Sequence, residues 1–246
     1  MNLTLQMLYA IYAWAAIAIA TLIFSTASML ASFLLFFDTK KKAAHRMNTA
    51  WAKTILWFNP VWHLKIRGRG YIKNDKSYVL VANHLSMSDI ICLFCLGKQF
   101  KWVAKESLFR VPFLGWAMRA AQYIQLERGK HGSIRDSLDE SCDWLRRDIS
   151  VLIFPEGTRS ESGRLGIFKN GAFKLAIQTG KPVVPIVLTG TREIIQKKSF
   201  LFSINIHCQI KILKPIPTNP FKEGQFAELK ELVRIKMLEA IESEKK

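Results

Sequence analysis

Residues 78–89 read Tyr-Val-Leu-Val-Ala-Asn-His-Leu-Ser-Met-Ser-Asp. The first five form a short apolar run with the character of a buried strand, and a helix-like run, Asp89–Leu96, begins at the end of the stretch. Strand, polar loop and helix in that order are the opening of a βα unit. The pattern repeats downstream. Strand-like runs are expected at Lys101–Ala104, Gln122–Leu126, Val151–Phe154, Val183–Leu188 and Ile204–Leu213. Helix-like runs are expected at Ser133–Arg147, at Ile167–Thr179, stopped by Gly180 and Pro182, and at Phe226–Ser243. This alternation implies an α/β domain with a mostly parallel or mixed central sheet flanked by helices. No internal repeat or low-complexity linker divides it.

Working outward toward the N-terminus, the character changes. Met1–Phe37 contains no charged residue, and Leu8–Phe37 is apolar apart from a few small hydroxyl residues. Thirty helical residues extend about 45 Å, more than the roughly 30 Å hydrocarbon core of a bilayer, so the segment either crosses at a tilt or embeds in part. A cleaved signal peptide fits poorly, because no basic region precedes the apolar run. Lys40, Lys41, Lys42 and Arg46 follow at once, which places what comes after on the cytoplasmic face of a membrane. Met47–Trp62 carries Trp51, Trp57 and Trp62 among polar residues and meets Pro60. It reads as an interfacial amphipathic helix, with an ordinary core-facing helix as the alternative. The expected organisation is therefore N-terminal membrane-anchoring helices over 1–64 and a catalytic domain over 65–246.

The 246 residues are 50% hydrophobic and 22% charged, which excludes a disordered chain. A net charge of +17 calls for anionic partners: nucleic acid, an anionic lipid surface or phosphate-bearing substrates. No zinc-finger spacing, basic zipper or RNP-type motif supports nucleic acid. Cys92 and Cys95 lie in an apolar run with no second pair, so the four cysteines read as buried small hydrophobes.

Two strand-end loops carry chemistry. In the first, His84 follows the strand and Asp89 stands five residues on. Catalytic groups in α/β sheets gather beyond the carboxyl ends of strands. A histidine there acts as a general base when a carboxylate fixes its tautomer, the hydroxyl coming from the substrate instead of an enzyme serine. Ser86–Asp89 also reads as a helix capping box, and this loop by itself does not decide between the two. The second loop, Phe154-Pro155-Glu156-Gly157-Thr158-Arg159-Ser160, follows the apolar strand at 151. Gly157 permits a tight turn, Thr158 and backbone amides donate hydrogen bonds, and Arg159 offers a planar fork suited to phosphate. Acid–base groups and an anion clamp together, in a basic chain with a lipid-suited N-terminus, form a narrow combination. Of the other histidines, His207 lies in a strand-like run and reads as structural. A serine-hydrolase elbow is absent.

These motifs resemble the glycerolipid acyltransferase family. Its first block, Asn-His-x-Ser-x-x-Asp, is matched by Asn83, His84, Ser86 and Asp89, and its third by every residue from Phe154 to Ser160. Between them, Lys105-Glu106-Ser107-Leu108 and Pro112–Trp116 resemble the intervening segment. The second block, Gly-x-Ile-x-x-x-Arg, is set with Ala121 at the glycine, Ile124 and Arg128, so that position 121 does without a positive φ. Phe168–Ala172 and Val184-Pro185-Ile186 complete the order, and the likeness runs over about residues 65–215.

The resemblance implies that His84, held by Asp89, deprotonates the 2-hydroxyl of a 1-acylglycerol 3-phosphate, which attacks an acyl thioester to give phosphatidic acid. It implies that Glu156, Gly157, Thr158 and Arg159, with Arg128 and Lys105, grip the glycerol-phosphate head, and that Pro185 shapes an acyl or donor pocket. The thioester would be acyl carrier protein (acyl-ACP) or coenzyme A (acyl-CoA); no metal, other cofactor or nucleic acid is implied. Another lyso-lipid acceptor, such as a lyso-ornithine lipid, and a non-catalytic binder of anionic membrane stand as alternatives.

Overall fold

The computed structural model describes residues 3–195 and 200–244. Two helices come first, α1 (Leu3–Leu34) and α2 (Lys42–Phe58). The α/β unit follows as β1 (Trp62–Arg67), β2 (Val79–Ala82), α3 (Asp89–Phe94), β3 (Phe100–Lys105), α4 (Glu106–Phe109), α5 (Leu114–Ala120) and β4 (Ile124–Leu126). It continues with α6 (His131–Arg146), β5 (Ser150–Ile153), α7 (Gly171–Thr179), β6 (Val183–Thr189), α8 (Thr191–Ile194), β7 (Ile206–Ile212) and α9 (Phe226–Ser243).

The strands form one seven-stranded sheet in the order β1-β7-β6-β2-β5-β3-β4. Every neighbouring pair is parallel except β6 and β7, which are antiparallel. β2 is buried at all four positions, as a central strand covered on both faces must be. One face packs Leu80, Leu152, Ile186 and Ile210 against α2, α3 and α5. The other packs Val79, Val151, Val183 and Val187 against α6, α7 and α9. Truncating such a fully buried leucine to alanine costs about 2–5 kcal/mol, so these two interior layers fix the sheet. The seven-stranded sheet is the expected mixed, mostly parallel one.

Helix α1 is 32 residues long and apolar enough to cross a membrane. It lies along the protein for much of its length. Small buried residues, Ala10, Ala13, Ala20, Ser25 and Ser28, allow close approach. Tyr9 donates to Asn59 Oδ1 (2.9 Å), Tyr12 to the Phe58 carbonyl (2.8 Å) and Trp14 to the Phe200 carbonyl (2.9 Å). Trp51 in turn donates to Thr21 Oγ1 (3.0 Å). The anchored stretch from Tyr9 to Thr21 is about 18 Å long at 1.5 Å per residue. The opposite flank leaves Leu8, Ile11, Ile19, Ile23, Leu30 and Phe33 exposed.

Several local expectations shift. The tryptophan-rich helix ends at Phe58, and Trp62 opens β1, a strand not anticipated from sequence because its apolar positions are interleaved with His63, Lys65 and Arg67. The α2 stripe Ala44, His45, Asn48, Ala52 and Ile55 is buried as in a core-facing helix, while Trp57 at its end is 75% exposed. Helix α7 starts at Gly171, not at Ile167, which is exposed. Ala121 has φ −80°, as expected, but the left-handed residue is its neighbour Gln122 (φ 51°). The glycine of the second block therefore corresponds to position 122, two residues before Ile124.

Candidate active site

His84 stands just past the end of β2, at the sheet edge where β5, β3 and β6 also end. Its neighbour Asn83 is fastened there like an extra strand residue. Asn83 Nδ2 donates to the Leu188 carbonyl (3.0 Å), and Leu188 N–H donates to Asn83 Oδ1 (2.7 Å). The loop then folds around one carboxylate oxygen. Asp89 Oδ2 accepts from His84 Nδ1 (2.7 Å), Leu85 N–H (2.7 Å) and Ser86 N–H (2.9 Å). Asp89 is fully buried and its Oδ1 has no partner among the described residues, so its negative charge is spent on holding the imidazole and the turn. Both sequence readings find contacts here: the Ser86 N–H bond is the one a capping box makes, and the same oxygen holds His84 Nδ1, while Ser88 before α3 makes no side-chain capping bond. Ser88 Oγ donates to the Thr191 carbonyl (3.1 Å), tying the loop to α8.

With Nδ1–H donated to Asp89, Nε2 carries the lone pair and has no hydrogen-bond partner among the described residues. The ring stacks on Phe154, centroids 4.2 Å apart and planes 20° from parallel. An imidazole held so by a buried carboxylate is equipped to take a proton from a hydroxyl.

The second loop supports the first from below. Glu156 Oε1 accepts from His84 N–H (2.9 Å), and Oε2 accepts from Gly166 N–H (2.8 Å). Burial raises the Glu156 pKa, and these two amides oppose the rise. Ser160 N–H donates to the His84 carbonyl (2.8 Å). Gly157 (φ 72°) makes the turn, and a Cβ there would stand 2.9 Å from the Lys169 side chain.

A cavity of roughly 2280 Å³ opens over His84, more than twice the size of an ordinary small-molecule pocket. Lys105, Arg128 and Arg159 line it, and none of them is ion-paired to a carboxylate among the described residues. Burial lowers the Arg128 pKa, and the nearby Arg159 guanidinium adds to the effect. Two adjacent unpaired guanidiniums are an anion-binding arrangement. Away from them the wall turns apolar along Ile17, Phe24, Trp51, Phe94, Leu114 and Met118.

The structure thus brings His84, Asp89, Lys105, Arg128 and Arg159 to one cavity. Glu156, Gly157 and Thr158 lie off its wall, and the contacts of Glu156 are all to backbone amides. Pro185 is buried in β6 and does not line the cavity. Sequence reasoning missed the α1 residues in the wall and Arg192 of α8. Arg192 follows no recognisable motif, and the α1 residues looked purely lipid-facing.

An acyltransferase family model matches residues 63–189. The chain is 39% identical over 186 residues to the chloroplastic 1-acyl-sn-glycerol-3-phosphate acyltransferase LPAT1 of Arabidopsis thaliana, covering 75% of this chain and 52% of that one. It is 38% identical over 174 residues to a 1-acyl-sn-glycerol-3-phosphate acyltransferase of Saccharomyces cerevisiae, covering 68% and 56%. The chain therefore spans about half the length of the curated relatives it matches. Its fold superimposes on the crystal structure of the 1-acyl-sn-glycerophosphate acyltransferase PlsC from Thermotoga maritima with a TM-score of 0.84, over 100% of this chain and 98% of that one at 24% identity. The matched region holds the His84 loop, the Phe154–Ser160 loop and Arg128, and by that match the chain belongs to the acyltransferase family.

Proposed function

We propose that this protein transfers a fatty acyl chain from a thioester to the 2-hydroxyl of 1-acylglycerol 3-phosphate, giving phosphatidic acid. The observation that carries the reading is the His84–Asp89 pair at 2.7 Å beside two unpaired guanidiniums in one cavity. His84 Nε2 takes the hydroxyl proton while the alkoxide oxygen bonds to the thioester carbonyl carbon. The carbon–sulfur bond then breaks, and the thiolate leaves with the proton returned from the imidazolium. Asp89 holds the tautomer and stabilises the imidazolium. Arg128 and Arg159, with Lys105, bind the acceptor phosphate, and Glu156, Gly157 and Thr158 shape the loop that presents Arg159. The acyl chain occupies the apolar wall toward α1.

We read the helices before β1 as the membrane anchor, not the whole of 1–64, because Trp62–Leu64 belong to the first strand of the sheet; the chain from Trp62 on is the catalytic unit, on the cytoplasmic face by virtue of Lys40, Lys41, Lys42 and Arg46. Because α1 is bound to the protein along one side, it embeds its exposed flank in one leaflet and does not stand free across the bilayer. Each large apolar side chain buried there contributes about 1.5–3 kcal/mol, so a few suffice for stable attachment. An embedded site spares an amphiphilic acceptor a transfer through water.

An acceptor-by-donor activity matrix with protein in lipid tests this. Lysophosphatidic acid is expected to be the preferred acceptor, with acyl-CoA or acyl-ACP as donor. Equal or faster acylation of a phosphate-free lyso-ornithine lipid would refute the phosphate assignment, and no transfer to any lyso-lipid would refute the activity.

A further inference from the structure

The sheet edge that carries His84 has two flanks. On one, β5, β3 and β4 bring Arg159, Lys105 and Arg128 to the cavity. On the other, β7 is antiparallel to β6, with Gln209 opposite Thr189, and β1 is parallel to β7. The first residues of β1 and β7 therefore reach the same edge as the ends of β2 and β5. His63 and His207 are register partners there, their rings stacked with centroids 4.9 Å apart and planes 22° from parallel. The next pair on that face is Lys65 and Gln209.

Charge is distributed unevenly along this face. Farther from the edge, Glu244 holds Lys211 (2.9 Å) and Arg67 (3.7 Å). Nearer the edge, His63, His207 and Lys65 are exposed and have no carboxylate partner among the described residues. Arg192 of α8, whose Nη2 donates to the Glu161 carbonyl (2.6 Å), joins them in the wall of the cavity that also contains His84. Three strand spacings separate β1 from β2, about 14 Å, and three more separate β2 from β4. A glycerol phosphate gripped by Arg128 and Arg159 with its hydroxyl at His84 does not reach the far flank. In the tetrahedral intermediate the sulfur and the acceptor oxygen are separate substituents of the reacting carbon, so the thioester's leaving group can extend toward that flank while the acceptor occupies the other.

We propose that His63, His207, Lys65 and Arg192 form a second anion site that binds the phosphate of the donor's phosphopantetheine arm. This rests on the acyl-transfer reading above. The arm is extended, carries hydrogen-bonding amides and ends on a phosphate, which suits a cavity whose wall holds both His84 and this cluster of N–H donors without a carboxylate partner among the described residues. Coenzyme A and acyl carrier protein share this arm.

The test is direct binding to the full chain in lipid nanodiscs, by calorimetry, of coenzyme A, 4′-phosphopantetheine and phosphate-free pantetheine. Both phosphorylated ligands are expected to bind the wild type at least tenfold tighter than pantetheine. The double variant His63→Gln/His207→Gln is expected to weaken the phosphorylated ligands roughly tenfold and narrow that gap. Lys65→Gln, a change to one exposed side chain, is expected to act the same way to a smaller degree. Equal binding of coenzyme A and pantetheine to the wild type, or undiminished coenzyme A binding in both variants, overturns the site. Michaelis constants separate the sources: increases for both acyl-CoA and acyl-ACP support the shared phosphate, and an increase for acyl-CoA alone overturns it, since only coenzyme A carries further phosphates. Binding needs no turnover, so expected binding with no acylation of any lyso-lipid would sink the function and leave the site standing.

Discussion

His84 and His45 are both partly or wholly enclosed, yet the protein uses them in opposite ways. His84 donates Nδ1–H to a buried carboxylate and keeps Nε2 free beside a cavity. His45 is buried in α2 with both nitrogens engaged, by the Tyr123 hydroxyl (3.0 Å) and the Lys98 carbonyl (3.3 Å), and with Phe94 and Phe100 packed on its ring. Burial pulls its pKa down to about 3, and the neighbouring Lys101 ammonium acts in the same direction. No carboxylate compensates among those contacts. A histidine with a buried carboxylate on one nitrogen and open space on the other is equipped to act as a base; one with both nitrogens engaged, as at position 45, is a neutral polar strut.

The comparison breaks most visibly if Asp89 is changed. Asp89→Asn keeps the shape but presents an amide to Nδ1 and favours the wrong tautomer, so kcat is expected to fall about 10³-fold or more with folding retained. A steady-state assay beside a thermal melt checks this. Arg159→Ala is expected to raise KM for a phosphate-bearing acceptor by roughly ten- to a hundredfold, as a charge-assisted contact is lost, with kcat less affected. Acceptor titrations measure it.

His45→Gln sharpens the other side. Between pH 6.5 and about 3 the unfolded chain binds a proton at position 45 that the folded chain refuses. Wild-type stability therefore falls as pH drops through that window, by at most about 1.4 kcal/mol per unit from this group. Denaturant midpoints at stepped pH are expected to show that slope diminished in His45→Gln, while its acyl transfer stays within severalfold of wild type. The smallest effect is at Gln122, whose φ of 51° costs a non-glycine residue about 1–2 kcal/mol. Glycine there relieves it against about 0.5–1 kcal/mol of extra chain entropy, so Gln122→Gly is expected to stabilise by roughly 0.5 kcal/mol.

The distinction between these two histidines was legible in sequence, because His84 has a carboxylate five residues on and His45 has none nearby. The sheet was legible from its buried strands, which are short unbroken apolar runs. β1 was not, since one of its faces is His63, Lys65 and Arg67. The service of Glu156 to backbone amides was equally hidden, because it depends on β2 and β5 lying side by side, 72 residues apart in the chain. Likewise, an apolar α1 looks lipid-facing all round until the contacts of Tyr9, Tyr12 and Trp14 are known.

The central claim is that His84 Nε2 activates the acceptor hydroxyl. The most direct measurement is single-turnover acyl transfer to lysophosphatidic acid, in lipid, by wild type and His84→Ala at matched folding. The account expects phosphatidic acid from the wild type and a rate at least about 10⁴-fold lower in the variant. A variant that transfers the acyl group at the wild-type rate would contradict it.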